Sequence, residues 1–479
     1  MKRTKIVCTI GPASNSEEML EKLILAGMNV ARLNFSHGTH EEHGIVIQRI
    51  RALSKKLNTP IAVLQDISGP KIRIGNITNG PVTLTKDQTF TLTSRDIEGD
   101  AEQVSLNYKD LPKLVHVGDK LLLADGLLEM DVEAVEGDDI TCRVVTGGSL
   151  NSHKGINLPT CSTGIPVLTE KDHIDIQFGI QQDVDYIALS FVRTAEDIFI
   201  AKKIIKEAGK DIPIISKIEK PEALANIDEI LMVTDGIMVA RGDLGVELPF
   251  EQVPMAQKEI ISKANAACKP VITATQMLES MVDNPRPTRA EVNDVANAIL
   301  DGTDAVMLSE ESAMGHYPVK AVQAMVRIAE NIEHKFPFEE WLTRFLIAGT
   351  ETAELAVSHA ACDLAERMGV DAIIATTTSG ETARQVARFR PPQIILGTTH
   401  NERTYHRLAL VWGITPLLTP AVKYIDQMIS SAFQTGTDAG MLKLGQKVVI
   451  STGAPVNTPG KTNLLAVLEV GREYKSIQH

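Results

Sequence analysis

The sequence predicts an α/β protein: a (β/α)8 TIM barrel interrupted by a small β-barrel domain and followed by a separate α/β domain. Three observations predict it. Eight short apolar runs alternate with helix-length segments, the pattern of parallel βα units. Residues 71–165, between the third and fourth runs, change to β-type alternation broken by turn signals such as Asp125-Gly126. A second series of runs begins after residue 345. The expected domains are therefore 1–70 with 166–345 (the barrel), 71–165 (the inserted β domain) and 346–479 (the C-terminal α/β domain). At 479 residues the chain is too long for one core, which agrees with that division.

In order, the barrel runs are KIVCTIG (5–11), VARLNFS (30–36), PIAVLQD (60–66), DYIALSF (185–191), IPIISKI (212–218), GIMVAR (236–241), PVITAT (270–275) and DAVMLS (304–309). After the first comes a helix near 14–27, for which Ser14-x-x-Glu17 reads as a capping box and Gly27 as the C-terminal cap. A helix near 39–57 follows the second. The inserted segment shows no helical periodicity. Beyond 345 the runs are DAIIATTTS, QIILGTT, ITPLLT, KVVIST and LLAVLEV, with helical stretches between them.

Composition excludes several classes. A formal charge of −13 disfavours nucleic acid or an anionic membrane as partner, although a local cationic cluster still permits a small anionic ligand. The five cysteines are dispersed and form no CxxC pair, so neither zinc nor a disulfide framework is expected. No stretch approaches the ~18 apolar residues of a membrane span, and the apolar run at the start is too short for a signal peptide. A cytoplasmic location is the expectation.

Barrels of this kind carry their chemistry at the C-terminal ends of the strands. Those ends supply Arg32, Asn34 and Ser36, then Asp66, then Lys217 and Glu219, Arg241-Gly242-Asp243, Thr275 and Ser309. In the fifth run Lys217 and Glu219 are two apart, so an extended chain points both to one face, and Pro221 suits the first turn of a helix. Carboxylates and cations converging on one mouth suit Mg2+ and a phosphate. Taken alone, RGDLG reads as a structural turn and THEEH (39–43), with His40 and His43, as a solvated first helical turn.

The motifs KIVCTIGPAS (5–14), ARLNFSHG (31–38), GPKIRIG (69–75), HKGINLP (153–159), SKIEK (216–220), VARGDLGVE (239–247), ATQMLESM (274–281) and VMLSEESAMGHYP (306–318) occur in one order that resembles the pyruvate kinases. TTTSGETARQVARFRP (376–391) extends the resemblance to nearly the whole chain. It implies phosphoryl transfer from phosphoenolpyruvate to ADP, with Mg2+ or Mn2+, in a homotetramer. It implies that Lys217 stabilises the moving phosphoryl group, Arg32 contacts the phosphate, and Glu219 with Asp243 holds the metal. Gly242 and Asp243 would bind the substrate carboxylate through backbone N–H groups, Thr275 would orient the enolate, and Ser309 would join the proton relay. The nucleotide would meet Asn34, His37, Arg73 and Lys154.

Relatives often hold a monovalent cation at positions matching Asn34, Ser36, Asp66 and the Ile67 carbonyl, with glutamate where this chain has Lys71. A fixed ammonium there replaces the K+ charge, so K+ independence is expected; Ile67, Ser68 and Ile74 also depart from the pattern. Glu310 and Ser312 depart too, past the strand end, with little catalytic consequence expected. In the last domain Thr377, Thr378, Ser379, Gly380 and Thr382 form a loop opening a helix, an anion site for AMP or a sugar phosphate, with Arg384 adding contacts. Glu381 beside that site argues against a bisphosphorylated sugar. The loop GAPVNTPGKTN (453–463) is not a P-loop, because its glycines are seven positions apart rather than five. Two rivals remain: an Mg2+-dependent lyase or aldolase acting through a pyruvate enolate, and a catalytically silent metabolite sensor.

Overall fold

The computed structural model describes residues 2–159, 165–344, 352–456 and 461–472. Cys161, the 345/346 boundary and part of the GAPVNTPGKTN loop lie outside the described residues.

Eight parallel strands close into a barrel, each beside its sequence neighbours and the eighth beside the first. They are Lys5–Ile10, Val30–Asn34, Ala62–Asp66, Tyr186–Leu189, Ile214–Ile218, Gly236–Ala240, Val271–Ala274 and Ala305–Leu308. Nearly every residue in them is buried, as strands covered on both faces require. Val7, Val30, Leu64, Ala188, Ile215, Met238, Ile272 and Met307 pack together inside the barrel. Isoleucine-rich outer faces pack on the helices.

Elements between Val82 and Asn157 form a six-stranded and a two-stranded sheet, with only a 3-10 turn at Leu111–Lys113 and their own core around Phe90, Leu121 and Val144. The chain from Ala353 onward carries a five-stranded sheet. Four of its strands are parallel and Leu464–Glu469 is antiparallel. It packs at the N-terminal end of the barrel, where Lys5 Nζ donates to the Ile414 carbonyl at 2.6 Å and Tyr186 Oη to the Arg407 carbonyl at 2.9 Å. The opposite, C-terminal mouth is left for the inserted domain.

Three local expectations are corrected. The first helix, Glu17–Ala26, is capped by Ser16, whose hydroxyl accepts from Met19 N, not by a Ser14 box. Ser14 is buried and its hydroxyl accepts from Gly11 N at 3.1 Å, so it fixes the preceding turn. Gly27 is the C-terminal cap as expected, with φ 121°. RGDLG is not a turn: Arg241–Glu247 is a helix. THEEH does open a helix, His40–Lys56, with Thr39, Glu41 and Glu42 exposed and His40 partly so, but His43 is not solvated. His43 is buried and stacked on Phe35 at 4.2 Å, and His40 Nε2 lies 2.7 Å from Asp175 Oδ1.

Candidate active site

Parallel strands put every C-terminal strand end on one mouth, and there the polar residues concentrate. Lys217, next to last on the fifth strand, reaches back toward the third. Its Nζ lies 2.9 Å from Glu219 Oε1, 3.3 Å from Asp66 Oδ1 and 2.8 Å from Ser190 Oγ. Arg32 takes the other oxygen of Asp66, Nε to Oδ2 at 2.6 Å, and donates to Thr9 Oγ1 at 2.9 Å. Glu219 Oε2 accepts from the Phe191 N–H at 2.7 Å. Two cations and two carboxylates from the second, third and fifth strands thus form one buried network.

Its electrostatics follow from burial and pairing. Burial acts against the Lys217 ammonium, but Asp66 and Glu219 outweigh it and hold its pKa above the ordinary lysine value. Burial lifts Asp66, yet Lys217 and Arg32 together hold it below the usual range. Glu219 goes the other way: burial raises it and the Asp243 carboxylate adds to that, against the opposing pull of Lys217.

Beside this network the sixth strand runs into the helix Arg241–Glu247. The Gly242 N–H donates to Thr275 Oγ1 at 2.7 Å, and that hydroxyl donates to the Ala274 carbonyl at 2.7 Å. Thr275 and Gln276 have φ of 69° and 53°, a left-handed bend that costs a β-branched residue strain. Arg241 fixes the bend, donating to the Ala274 and Thr275 carbonyls and to Asp294 Oδ1. Lys71 Nζ sits 3.4 Å from Asp243 Oδ1 and 4.0 Å from Asp125 Oδ1 of the inserted domain. The inserted domain is also clasped at Glu247, whose Oε1 accepts from Asn157 Nδ2 at 2.9 Å and from Lys220 Nζ at 2.5 Å.

Of the residues expected at the site, Arg32, Asp66, Lys217 and Glu219 are joined directly, and so are Gly242 and Thr275. Ser309 heads the eighth strand's exit, its N–H donating to Glu311 Oε2 at 2.7 Å. The four monovalent-cation positions are close to one another. Asn34 pairs in register with Asp66, Ser36 Oγ accepts from Ser68 Oγ at 2.9 Å, and the Ile67 carbonyl accepts from Ser190 Oγ at 2.7 Å. Both Asp66 oxygens are already engaged by cations. Arg73 and Lys154 are neighbours in the inserted domain, where Arg73 bridges to Gly155 and Ile74 N–H donates to the Lys154 carbonyl. No hydrogen bond or ion pair among the described residues joins them to Asn34 or His37. Sequence reasoning missed Thr9 and Ser190, each the first polar residue after an apolar run, and Glu311. Ser312, expected to matter little, donates to the Thr9 carbonyl at 2.9 Å and ties the eighth strand's exit to the first.

In the C-terminal domain Thr377, Thr378, Ser379 and Thr382 line a cleft with Thr398, Thr452 and Lys461. Gly380 closes its loop, donating to Thr377 Oγ1 at 2.9 Å. Glu381 and Arg384 do not line this cleft. They pair with each other at 2.5 Å and face a second cleft behind the loop, so the argument from Glu381 against a bisphosphorylated ligand fails.

Among the described residues no three His, Cys, Asp or Glu groups converge as a metal cage. Glu219 and Asp243 offer two carboxylates close enough for one to raise the other's pKa, the donor set of a Mg2+ ion completed by water and substrate oxygens.

The family model for the pyruvate kinase barrel domain matches residues 1–322, and that for the pyruvate kinase alpha/beta domain matches residues 355–468. A pyruvate kinase of Clostridium acetobutylicum is 44% identical over 98% of this chain and 99% of its own length. One from Geobacillus stearothermophilus is 47% identical over 97% of this chain and 80% of its own, and one from Staphylococcus epidermidis 46% over 99% and 81%. The chain is a phosphotransferase and belongs to the pyruvate kinase family.

Proposed function

We propose that the chain transfers the phosphoryl group of phosphoenolpyruvate to ADP with Mg2+ or Mn2+, without need of K+, under control of a phosphorylated effector. The observation that carries the reading is the Lys217 network. Its ammonium is buried and held charged by Asp66 and Glu219, a fixed positive charge needing no reorganisation as phosphoryl oxygens approach. Arg32, anchored on Asp66 and Thr9, contacts the substrate phosphate. Glu219 and Asp243 hold the divalent cation, which supplies neutralisation of the transferring group. Gly242 and Asp243 receive the substrate carboxylate, and Thr275, bonded to Gly242, orients the enolate for protonation with Ser309 in the relay.

Lys71, placed beside Asp243, supplies the charge that K+ supplies in relatives, and the engagement of both Asp66 oxygens supports this. Asn34, His37, Arg73 and Lys154 bind the nucleotide, the last two brought in by the inserted domain as a lid. The cleft at Thr377–Thr382 takes AMP or a sugar phosphate. The reading includes a homotetramer in the cytoplasm; among the described residues no helix is long and apolar enough to cross a membrane.

The test is pyruvate formation from phosphoenolpyruvate and ADP with Mg2+, in Tris or Na+ buffer, with and without K+. Rapid turnover in both supports the kinase and the role of Lys71. Turnover only with K+ keeps the kinase and removes the role of Lys71. No turnover, even with AMP and sugar phosphates added, overturns it in favour of a silent sensor.

A further inference from the structure

A cleft of about 440 Å3 opens between the N-terminal end of the barrel and the C-terminal domain, on the face opposite the catalytic mouth. Its size falls within the range of small-molecule sites. Charge distinguishes it from a packing defect. Each of its three carboxylates is paired with a cation of the same lining: Asp235 with Lys202 at 2.8 Å, Glu381 with Arg384 at 2.5 Å and Asp211 with Arg407 at 3.8 Å. Lys210, also in the lining, shares Asp183 with Arg403. Two lysines of the lining are left over. Neither the Lys206 nor the Lys269 ammonium makes an ion pair or hydrogen bond among the described residues.

Lys269 is the more telling of the two. It is half-buried in the loop before the seventh strand, and burial lowers its ammonium pKa despite the more distant carboxylates of Asp235 and Glu381. In the same lining, among the described residues, the donor Arg407 Nε and the acceptor Gln385 Oε1 are buried without a hydrogen-bond partner; the first suits a phosphate oxygen and the second a hydroxyl of the group that carries it. Unsatisfied buried polar atoms are costly and call for a partner. An uncompensated charge of about +2, with amide and hydroxyl groups around it, complements a phosphomonoester, which carries about −1.5 to −2 at neutral pH.

We propose that this cleft binds a phosphorylated small metabolite, at a site distinct from the cleft at Thr377–Thr382. The proposal does not rest on the catalytic reading. Position gives the ligand something to act on. The cleft is floored by the residues that enter the fifth, sixth and seventh strands: Pro213, Asp235 and Pro270. Those strands deliver Lys217, Gly242 and Thr275 at their other ends, about 15 Å away at ~3.3 Å per residue. Its wall is the helix Glu381–Arg388, and Ser379, two residues before that helix, lines both clefts.

The experiment is calorimetric titration of the full chain with ribose 5-phosphate, and with inorganic phosphate as a minimal probe. Lys206→Met/Lys269→Met together, and Lys203→Met outside the lining on the Lys206 helix, are each made in a Thr378→Ala background that weakens the sugar-phosphate cleft, and are compared with Thr378→Ala alone. The double variant is expected to weaken ribose 5-phosphate binding at least about tenfold, as loss of hydrogen bonds to charged groups does. Lys203→Met should stay within about twofold of the Thr378→Ala reference, and the lysine double substitution should leave unliganded turnover and the melting midpoint unchanged. Affinity equal to the Thr378→Ala reference after the lysine double substitution overturns the proposal. So does equal weakening by Lys203→Met, which would mean diffuse charge attraction, or no binding by wild type up to about 10 mM, weaker than any useful site.

Discussion

Lys217 and Asp66 meet inside the barrel mouth from strands separated by one other, Nζ 3.3 Å from Oδ1, with both side chains almost wholly buried. They come from the fifth and third strands, 151 positions apart in sequence. Asp66 is shared: its second oxygen takes Arg32. One buried carboxylate therefore sets the position of two cations that the proposed reaction needs, and the strands around it set the position of the carboxylate.

The Asp66 pair has a pH signature. Its folded pKa is depressed, so its contribution to stability is present above the unfolded carboxylate pKa, about 3.9, and is lost as pH falls through the lower folded value. Lys217 has a raised folded pKa, so its contribution is complete below about 10.4 and is lost as pH rises above that through the folded value. Acid unfolding of Asp66→Asn should therefore lack the part of the wild-type stability loss that falls below about pH 4. Urea midpoints measured from pH 5 to pH 2 check this; parallel curves for the two proteins would contradict it.

Thr275 separates strain from chemistry. At φ 69° a residue with a Cβ costs about 1–2 kcal/mol that glycine does not. Thr275→Ala and Thr275→Gly both remove the hydroxyl that Gly242 N–H donates to, so both should lose turnover to a similar extent. Thr275→Gly should nevertheless be more stable than Thr275→Ala by about 1 kcal/mol, read from chemical denaturation. An alanine variant as stable as the glycine one would mean the bend relaxes.

Lys71 predicts an ion requirement. Lys71→Glu puts a carboxylate beside Asp243, where the ammonium now stands 3.4 Å away. Activity in Na+ buffer should fall by at least about tenfold, and K+ should restore part of it, since like charges at this distance repel unless a cation intervenes. Steady-state rates over a K+ titration check it. A variant indifferent to K+ would remove Lys71 from the account.

The barrel was legible because its signal is periodic: eight apolar runs and eight buried strands coincide, with ends displaced by one or two residues. The site was legible for the same reason, since topology alone carries Arg32, Asp66, Lys217 and Thr275 to one mouth. Other features depend on pairings that no local pattern encodes. Ser14 and Ser16 both suit a helix start, and only the turn at Gly11 decides between them. THEEH is solvated except at His43, which stacks on Phe35 and is buried there. Ser190 was a bare strand-end hydroxyl until Lys217 met it. Glu381 read as a neighbour of the effector loop, yet its carboxylate turns to Arg384, one turn along the same helix.

The role of Lys217 is the claim on which the proposed reaction turns, and Lys217→Met tests it most directly. The substitution leaves Asp66 and Glu219 with less compensation, so the variant should be destabilised by about 3–5 kcal/mol near neutral pH. The deficit should shrink in acid as Glu219, whose pKa is already raised, takes up a proton. Turnover is therefore measured at a temperature where circular dichroism shows the variant folded, with saturating phosphoenolpyruvate, ADP and Mg2+. Pyruvate formation should drop by at least about 10²–10³-fold, as loss of one preorganised charge facing the transferring group requires. Wild-type turnover in the folded variant would contradict the account.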